Sequence, residues 1–286
     1  MRIGLDGYPL AEPRTGVGHY TLELARALAR ISPSDEFELV SPAPFTTEVL
    51  DEIERAQLPN LRTSNPKSSS IRGHWWSVGL PIYARRAGFD LFHGTNFDVP
   101  LWKKRRSVVT IHDLSALLHP EKHRSRLVRR ARLRLPLVAR VADMIITPTE
   151  SVKREVCQRF NVKSEKVSAI HLAARQIFQP VPFAQTAEIR KRLGIEDEFL
   201  LFVGTLEPRK NLLTLLKAFE QIVDRDEPVH IFVIGAPYKY LNNILEQDHR
   251  GSNAGSTPSR DSENSRRRSE PFRSVSGTRQ TARHRQ

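Results

Sequence analysis

Read for the spacing of its apolar positions, the chain alternates short apolar runs with longer amphipathic ones. Arg2–Asp6 is a short apolar strand, and residues 7–18 form a loop containing glycine and proline. Val17, Leu22, Leu24, Ala25, Leu28 and Ile31 recur at helical spacing and predict a helix over Val17–Ile31. Phe37–Val40 predicts the next strand, residues 46–57 a helix, and Asn65–Ser70 a polar loop. Leu91–His93 and Val108–His112 read as two strand ends, each finishing in a histidine. Arg124–Asp143 predicts a long basic amphipathic helix, bent or broken at Pro136. Met144–Thr147 is a strand, Thr149 caps a helix that runs to Phe160, and Val167–Ile170 is one more strand.

Ala173–Phe183, with two prolines, reads as a linker, after which the alternation restarts. Helices are predicted at Thr186–Leu193 and Asn211–Asp224, strands at Phe199–Val203 and Val229–Ile234. This order predicts an α/β fold with a mainly parallel sheet. Residues 1–175 form a first Rossmann-like domain and 176–247 the start of a second.

From Asp248 the pattern stops. The segment 248–286 has no leucine, isoleucine or lysine and is rich in serine and arginine, which predicts a disordered basic tail. A natural tail and a shifted reading frame both account for it. The second is favoured, because an open sheet of two strands is hard to stabilise alone.

Composition narrows the class. Hydrophobic residues at 39% and charged residues at 27% fit a globular protein with chain enough for a core. The single cysteine, Cys157, excludes a disulfide framework and a thiolate metal cluster, and makes a reducing cytoplasmic setting the default. No run is apolar over the roughly 20 residues that span a bilayer, and the N-terminus lacks the pattern of a signal peptide. The net charge of +13 points to an anionic partner: nucleic acid, a membrane surface or a phosphorylated substrate.

Three groups of residues carry candidate chemistry. Gly16 and Gly18 lie in a loop between a strand and a helix, where glycine lets backbone approach an anion, although a structural turn fits them equally. The third position of a dinucleotide fingerprint there is Thr21 instead of glycine. His93 and His112, the latter beside Asp113, fall at carboxyl ends of strands, where open α/β sheets place ligands. A hydrogen-bonded core histidine is the competing reading, and without a third ligand at suitable spacing a zinc site is not expected. The strongest group is Phe202-Val203-Gly204-Thr205-Leu206-Glu207-Pro208-Arg209-Lys210-Asn211. It places Arg209 and Lys210 at a helix N-terminus, where the helix dipole disfavours cations and anion binding explains them better.

That last segment, FVGTLEPRKNLLTLLKAF, resembles the donor-phosphate segment of family 4 glycosyltransferases, in particular bacterial mannosyltransferase-like members. MRIGLDG, TGVGHYTLEL, DLFHGTNF, VVTIHDLS and IITPTESVKREV agree in order, so the resemblance covers about residues 1–240. It implies a GT-B fold with an incomplete second domain, the first being the acceptor side. It also implies transfer of a hexose, with mannose favoured, from a nucleoside-diphosphate sugar to a glycan or lipid-linked acceptor. The anomeric configuration is retained and no metal or other cofactor is required.

By the same resemblance Arg209 and Lys210 grip the donor diphosphate and the Gly16/Gly18 loop lies over phosphates or acceptor. His112 is the catalytic candidate near the reacting carbon, with His93, Asp113, Gly204 and Thr205 as further substrate contacts. Thr205 stands where many relatives carry arginine, which removes one cation from the phosphates. The glutamate pair, eight positions apart, that such enzymes carry after the phosphate segment does not follow Lys210, and Glu188 with Glu196 match its spacing only by coincidence. Activity of this chain is therefore expected to be impaired, with a non-catalytic acceptor- or membrane-binding module as the alternative.

The basic stretch 122–140 interleaves Arg124, Arg126, Arg129, Arg130, Arg132 and Arg134 with leucines. A solvated face and peripheral contact with an anionic membrane both fit it. No specific nucleic acid is expected, because no aromatic-interleaved motif accompanies the charge.

Overall fold

The computed structural model describes residues 1–11, 14–66, 74–101, 106–195, 199–204, 206, 210–223 and 230–234. The chain divides into two compact units, Met1–Glu198 and Phe199–Gln286.

The first unit is built on seven parallel strands. They are β1 (Arg2–Asp6), β2 (Glu36–Val40), β3 (Leu61–Ser64), β4 (Leu91–Gly94), β5 (Arg106–Thr110), β6 (Met144–Thr147) and β7 (Val167–Ala169), in the order β3-β2-β1-β4-β5-β6-β7. The order reverses between β1 and β4, the switch point at which open α/β sheets form a crevice at their carboxyl edge.

Helices connect the strands: α1 (Gly16–Ile31), α2 (Thr47–Arg55), α3 (Leu80–Ala87), α4 (Ser115–Leu118), α5 (Ser125–Val141) and α6 (Glu150–Phe160). A π turn over Trp75–Gly79 leads into α3. Strand alternation sorts the two faces of the sheet. Leu5, Phe37, Leu39 and Leu61 pack with Leu22, Ala25 and Ala29 of α1 and Val49 of α2. On the opposite face Val40, Phe89 and Phe92 pack with Leu80 and Ala84 of α3. Gly94 pairs in register with Val109, which packs against Leu135 and Val138 of α5. Phe92 and Gly94 point the same way, so α3 and α5 cover one face together.

The cap expected at Thr149 is present, and the structure adds one at Thr46. Thr149 Oγ1 accepts from Val152 N–H at 3.2 Å and starts α6, and Thr46 does the same for α2 toward Val49 at 3.4 Å. Of the bend or break expected at Pro136, the break does not occur: α5 runs through it as a single helix. Pro136 and Arg132, four residues earlier, are both exposed, so the carbonyl that loses its amide partner meets water. Burial of Val128, Ala131, Leu135, Val138 and Ala139 holds the helix on the sheet. Lys166 Nζ donates to the carbonyls of Ala139 and Arg140 at 2.7 and 3.0 Å and closes its C-terminus. β3 and α3 were not anticipated: β3 is too short to show a period, and the mixed run before α3 matches none.

Helix α7 (Phe183–Leu193) ends the first unit, with Gly194 at positive φ as its cap. In the second unit β8 (Phe199–Val203) pairs in parallel with β9 (His230–Ile234), and α8 (Leu212–Val223) lies between them in sequence. Leu201 and Val203 are 53% and 68% exposed, so β8 does not bury its apolar side chains. The segment 248–286 and Glu196 lie outside the described residues.

Candidate functional site

The carboxyl edge of the sheet carries a connected polar network at the switch point. Thr95, just past β4, donates from Oγ1 to the Asp6 carbonyl at 2.9 Å and accepts from Thr21 Oγ1 of α1 at 2.9 Å. Thr110, the last residue of β5, meets His93 Nε2 and the Tyr20 hydroxyl, both at 2.9 Å. His112 Nε2 lies 2.9 Å from the Thr95 carbonyl. A carbonyl only accepts, so Nε2 carries the proton and Nδ1 is left as an acceptor. Tyr20 stands edge-on to the His112 ring with centroids 5.0 Å apart, and Phe97 flanks it at 5.8 Å.

Burial sets the charge of this network. It pushes His93 down to about 4, assisted by the nearby His112, so His93 is neutral. His112 is also lowered by burial, opposed by its bond to Thr95 and by Asp113. Asp6 is fully buried, which drives its carboxyl up to about 8 against the stabilising hydrogen bond from Tyr8 N–H. The carboxyl is neutral near neutral pH.

Beside the network opens a cleft of about 880 Å³, lined by Gly16, His19, Tyr20, Thr110, Ile146 and Arg175 among others. Gly16 is the first residue of α1, and a Cβ there would meet nothing within 4 Å. The first turn of α1 holds no acidic side chain and Thr15 gives it no side-chain cap, so Gly16 brings a helix N-terminus to the cleft, whose lining also includes Glu23 and Glu52. His19 is lowered by burial and then by the charges of Arg175 and Arg14. Gly18 serves a different end: it is buried, and a Cβ there would lie 2.9 Å from the Pro9 carbonyl. It lets α1 pack on the turn Tyr8–Leu10.

The expected site residues are thus only partly brought together. Gly16 lines the cleft, His112 stands behind Tyr20, and His93 sits deeper, held by Thr110. Asp113 is exposed, and its Oδ1 accepts from Ser115 N–H and Oγ at 2.9 and 2.7 Å, an Asx turn at the start of α4. In the second unit Gly204 follows β8 and donates its N–H to the Ile234 carbonyl at 2.9 Å. Lys210 is exposed just before α8, where Asn211 adopts φ 54° and its Oδ1 accepts from Thr214 Oγ1 at 2.8 Å. Thr205 and Arg209 lie outside the described residues. Tyr20, Thr95, Thr110 and Asp6 were not singled out from sequence. Their only signal is position, at strand ends and one turn into α1.

The Glycosyltransferase Family 4 model matches residues 14–173, and the Glycosyl transferases group 1 model matches residues 185–255. O-antigen chain mannosyltransferase B of Escherichia coli is 26% identical over 238 residues, spanning 77% of this chain and 60% of that protein. O-antigen chain mannosyltransferase RfbU of Salmonella typhimurium is 23% identical over 223 residues, spanning 73% of this chain and 56% of that protein. The chain therefore covers about 60% of the length of such relatives. The crystal structure of Anabaena HepE in complex with UDP and glucose superimposes with a TM-score of 0.57 and 18% identity, over 87% of this chain and 64% of that one. At that identity it speaks for the fold alone. With 14–173, more than half of its 286 residues, matched by one family, the chain belongs to glycosyltransferase family 4 and carries the Rossmann-like sheet of its GT-B fold.

Proposed function

We propose that this chain is the acceptor-side domain, with the start of the donor-binding domain, of a retaining hexosyltransferase. It moves a sugar, mannose in our reading, from a nucleoside diphosphate to a hydroxyl of a glycan or lipid-linked acceptor. The observation that carries the proposal is the cleft beside the switch-point network, where Gly16 at the N-terminus of α1 and Tyr20, backed by His112, share one lining. The mannosyltransferase names of the bacterial relatives support mannose, and the UDP and glucose held by HepE support a nucleotide-sugar donor.

In the reaction the bond from the anomeric carbon to the diphosphate breaks and a bond to the acceptor oxygen forms. The acceptor proton ends on the departing diphosphate. Lys210 at the α8 N-terminus, with Arg209, stabilises the charge that develops there. His112 is neutral and offers Nδ1 as an acceptor for a sugar hydroxyl. No metal is needed in this scheme, because the cations and helix N-termini take its place.

The alternative is a module that binds acceptor without transfer, which the cleft of the first unit serves by itself. Equilibrium binding of GDP and UDP to the full chain, with release of nucleotide from GDP-mannose and UDP-glucose, separates the two. We expect nucleotide binding that Lys210→Ala weakens about tenfold and that a chelator leaves unchanged. A folded chain that binds neither nucleotide removes the transferase reading and leaves the binding module.

A further inference from the structure

Helix α5 commits only part of its charge to the fold. It contains Arg126, Arg129, Arg130, Arg132, Arg134 and Arg140 and no acidic residue. Arg130 Nη2 bonds Asp98 Oδ2 at 2.8 Å and Arg134 Nε bonds Asp98 Oδ1 at 3.0 Å, so one buried carboxylate holds these two. Arg126, Arg129, Arg132 and Arg140 are exposed and have no ion-pair partner among the described residues.

At about 100° per residue, Arg126, Arg129, Leu133, Leu137 and Arg140 fall on one stripe opposite the buried Val128, Ala131, Leu135 and Val138. Leu133 and Leu137 are 66% and 50% exposed at its centre. On the same face of the sheet, beside α3, lies a cleft of about 750 Å³ floored by Phe89 and Phe92 and edged by Arg85, Arg86 and Arg106. Two separate features of one face thus pair apolar surface with arginines that, Arg130 and Arg134 aside, meet no carboxylate in an ion pair among the described residues.

A surface of this kind matches one class of partner. A nucleic acid would use the arginines but not the leucines between them. A bilayer with anionic headgroups uses both, taking leucine at the acyl boundary and arginine at the phosphates. We propose that the face formed by α3 and α5 seats on an anionic lipid surface, with Leu133 and Leu137 inserted and Arg126, Arg129 and Arg140 on lipid phosphates. This goes beyond the sugar-transfer reading and does not depend on it.

The test is co-sedimentation of the full chain with vesicles of phosphatidylcholine alone or mixed with phosphatidylglycerol. Binding is expected only to the mixed vesicles and is weakened by salt. Removing three cations together (Arg126→Ala, Arg129→Ala, Arg140→Ala) weakens it about a hundredfold, at roughly fivefold per arginine. The pair Leu133→Ser and Leu137→Ser weakens it about tenfold. Lys191→Ala with Arg192→Ala on α7, a control for net charge, changes it less than about twofold. Residues 248–286 stay in every variant, so their charge contributes equally throughout. All of these positions are exposed, and thermal melting confirms that each variant folds. Absence of binding to mixed vesicles overturns the proposal. So does binding that ignores the leucine pair, which, if RNA displaces the vesicles, assigns the face to nucleic acid instead.

Discussion

His93 is the last residue but one of β4 and His112 follows β5 by two residues, so the two sit near one another beside adjacent parallel strands. His93 pairs in register with Val108, one layer below the edge, and its ring is held by Thr110 and taken out of water. Burial removes its charge and leaves it inside the core. His112 lies beyond the last register pair, half-buried between Tyr20 and Phe97, with one nitrogen committed among the described residues. A displacement of four residues, from the level of Val108 to that of His112, thus separates a core histidine from one that can meet a ligand. Depth from the sheet edge makes the difference, since the residue type is the same.

The largest effect that bears on this comparison is expected at Gly94, which turns the chain out of β4 between the two histidines. A Cβ there would fall on the Asp98 carbonyl, far inside contact distance. Gly94→Ala should destabilise by about 3 kcal/mol or more, read from the urea midpoint. A variant as stable as the parent would show that the loop does not close on β4.

Next in size is a functional split. His112→Ala should lower donor turnover about a hundredfold, roughly 2.7 kcal/mol in the barrier. A loss of less than about threefold in kcat/KM would remove His112 from the site.

The pH profile sharpens the same contrast. Asp6 has a folded pKa near 8, above its unfolded value, so its contribution is full below about pH 4 and is lost as pH rises toward 8. His93 has the opposite sign: its folded pKa near 4 lies below its unfolded value, so its contribution is lost as pH falls from about 6.5 to 4. The two slopes oppose one another between about pH 4 and 6.5. Above that, Asp6 acts alone, and stability should fall by about 2 kcal/mol by pH 8. Asp6→Asn should flatten that fall in unfolding curves taken across the range. A profile still sloping to the same degree in the variant would clear Asp6 of the effect.

The smallest effect is expected at Gly16. With nothing near its absent Cβ, Gly16→Ala should change stability by less than about 0.5 kcal/mol. The companion change Gly18→Ala, which meets the Pro9 carbonyl, should cost about 1–3 kcal/mol. Equal effects would mean that the two glycines share one role.

Much of the scaffold was legible because it is local. Strand β6, helix α6 with its Thr149 cap, and the body of α1 follow from periodicity and capping chemistry within about a dozen residues. Pro136 misled for the same reason: locally it disfavours a helix, and only packing against β5 and β6 keeps α5 whole. Within the site, Gly16 and His112 could be named from position, whereas Tyr20, Thr95, Thr110 and Asp6 could not. Their significance comes from partners 17 to 90 residues away in the chain.

The sequence by itself determined the α/β alternation, the glycosyltransferase family 4 motifs and the surplus of positive charge, since each is written in neighbouring residues. Only the tertiary structure decided which histidine is buried, which glycine faces the cleft, and which arginines of α5 are already taken by Asp98. The physical reason is desolvation. Whether a side chain keeps its charge or its free hydrogen-bonding atom depends on what distant segments bring against it, and no local pattern records that.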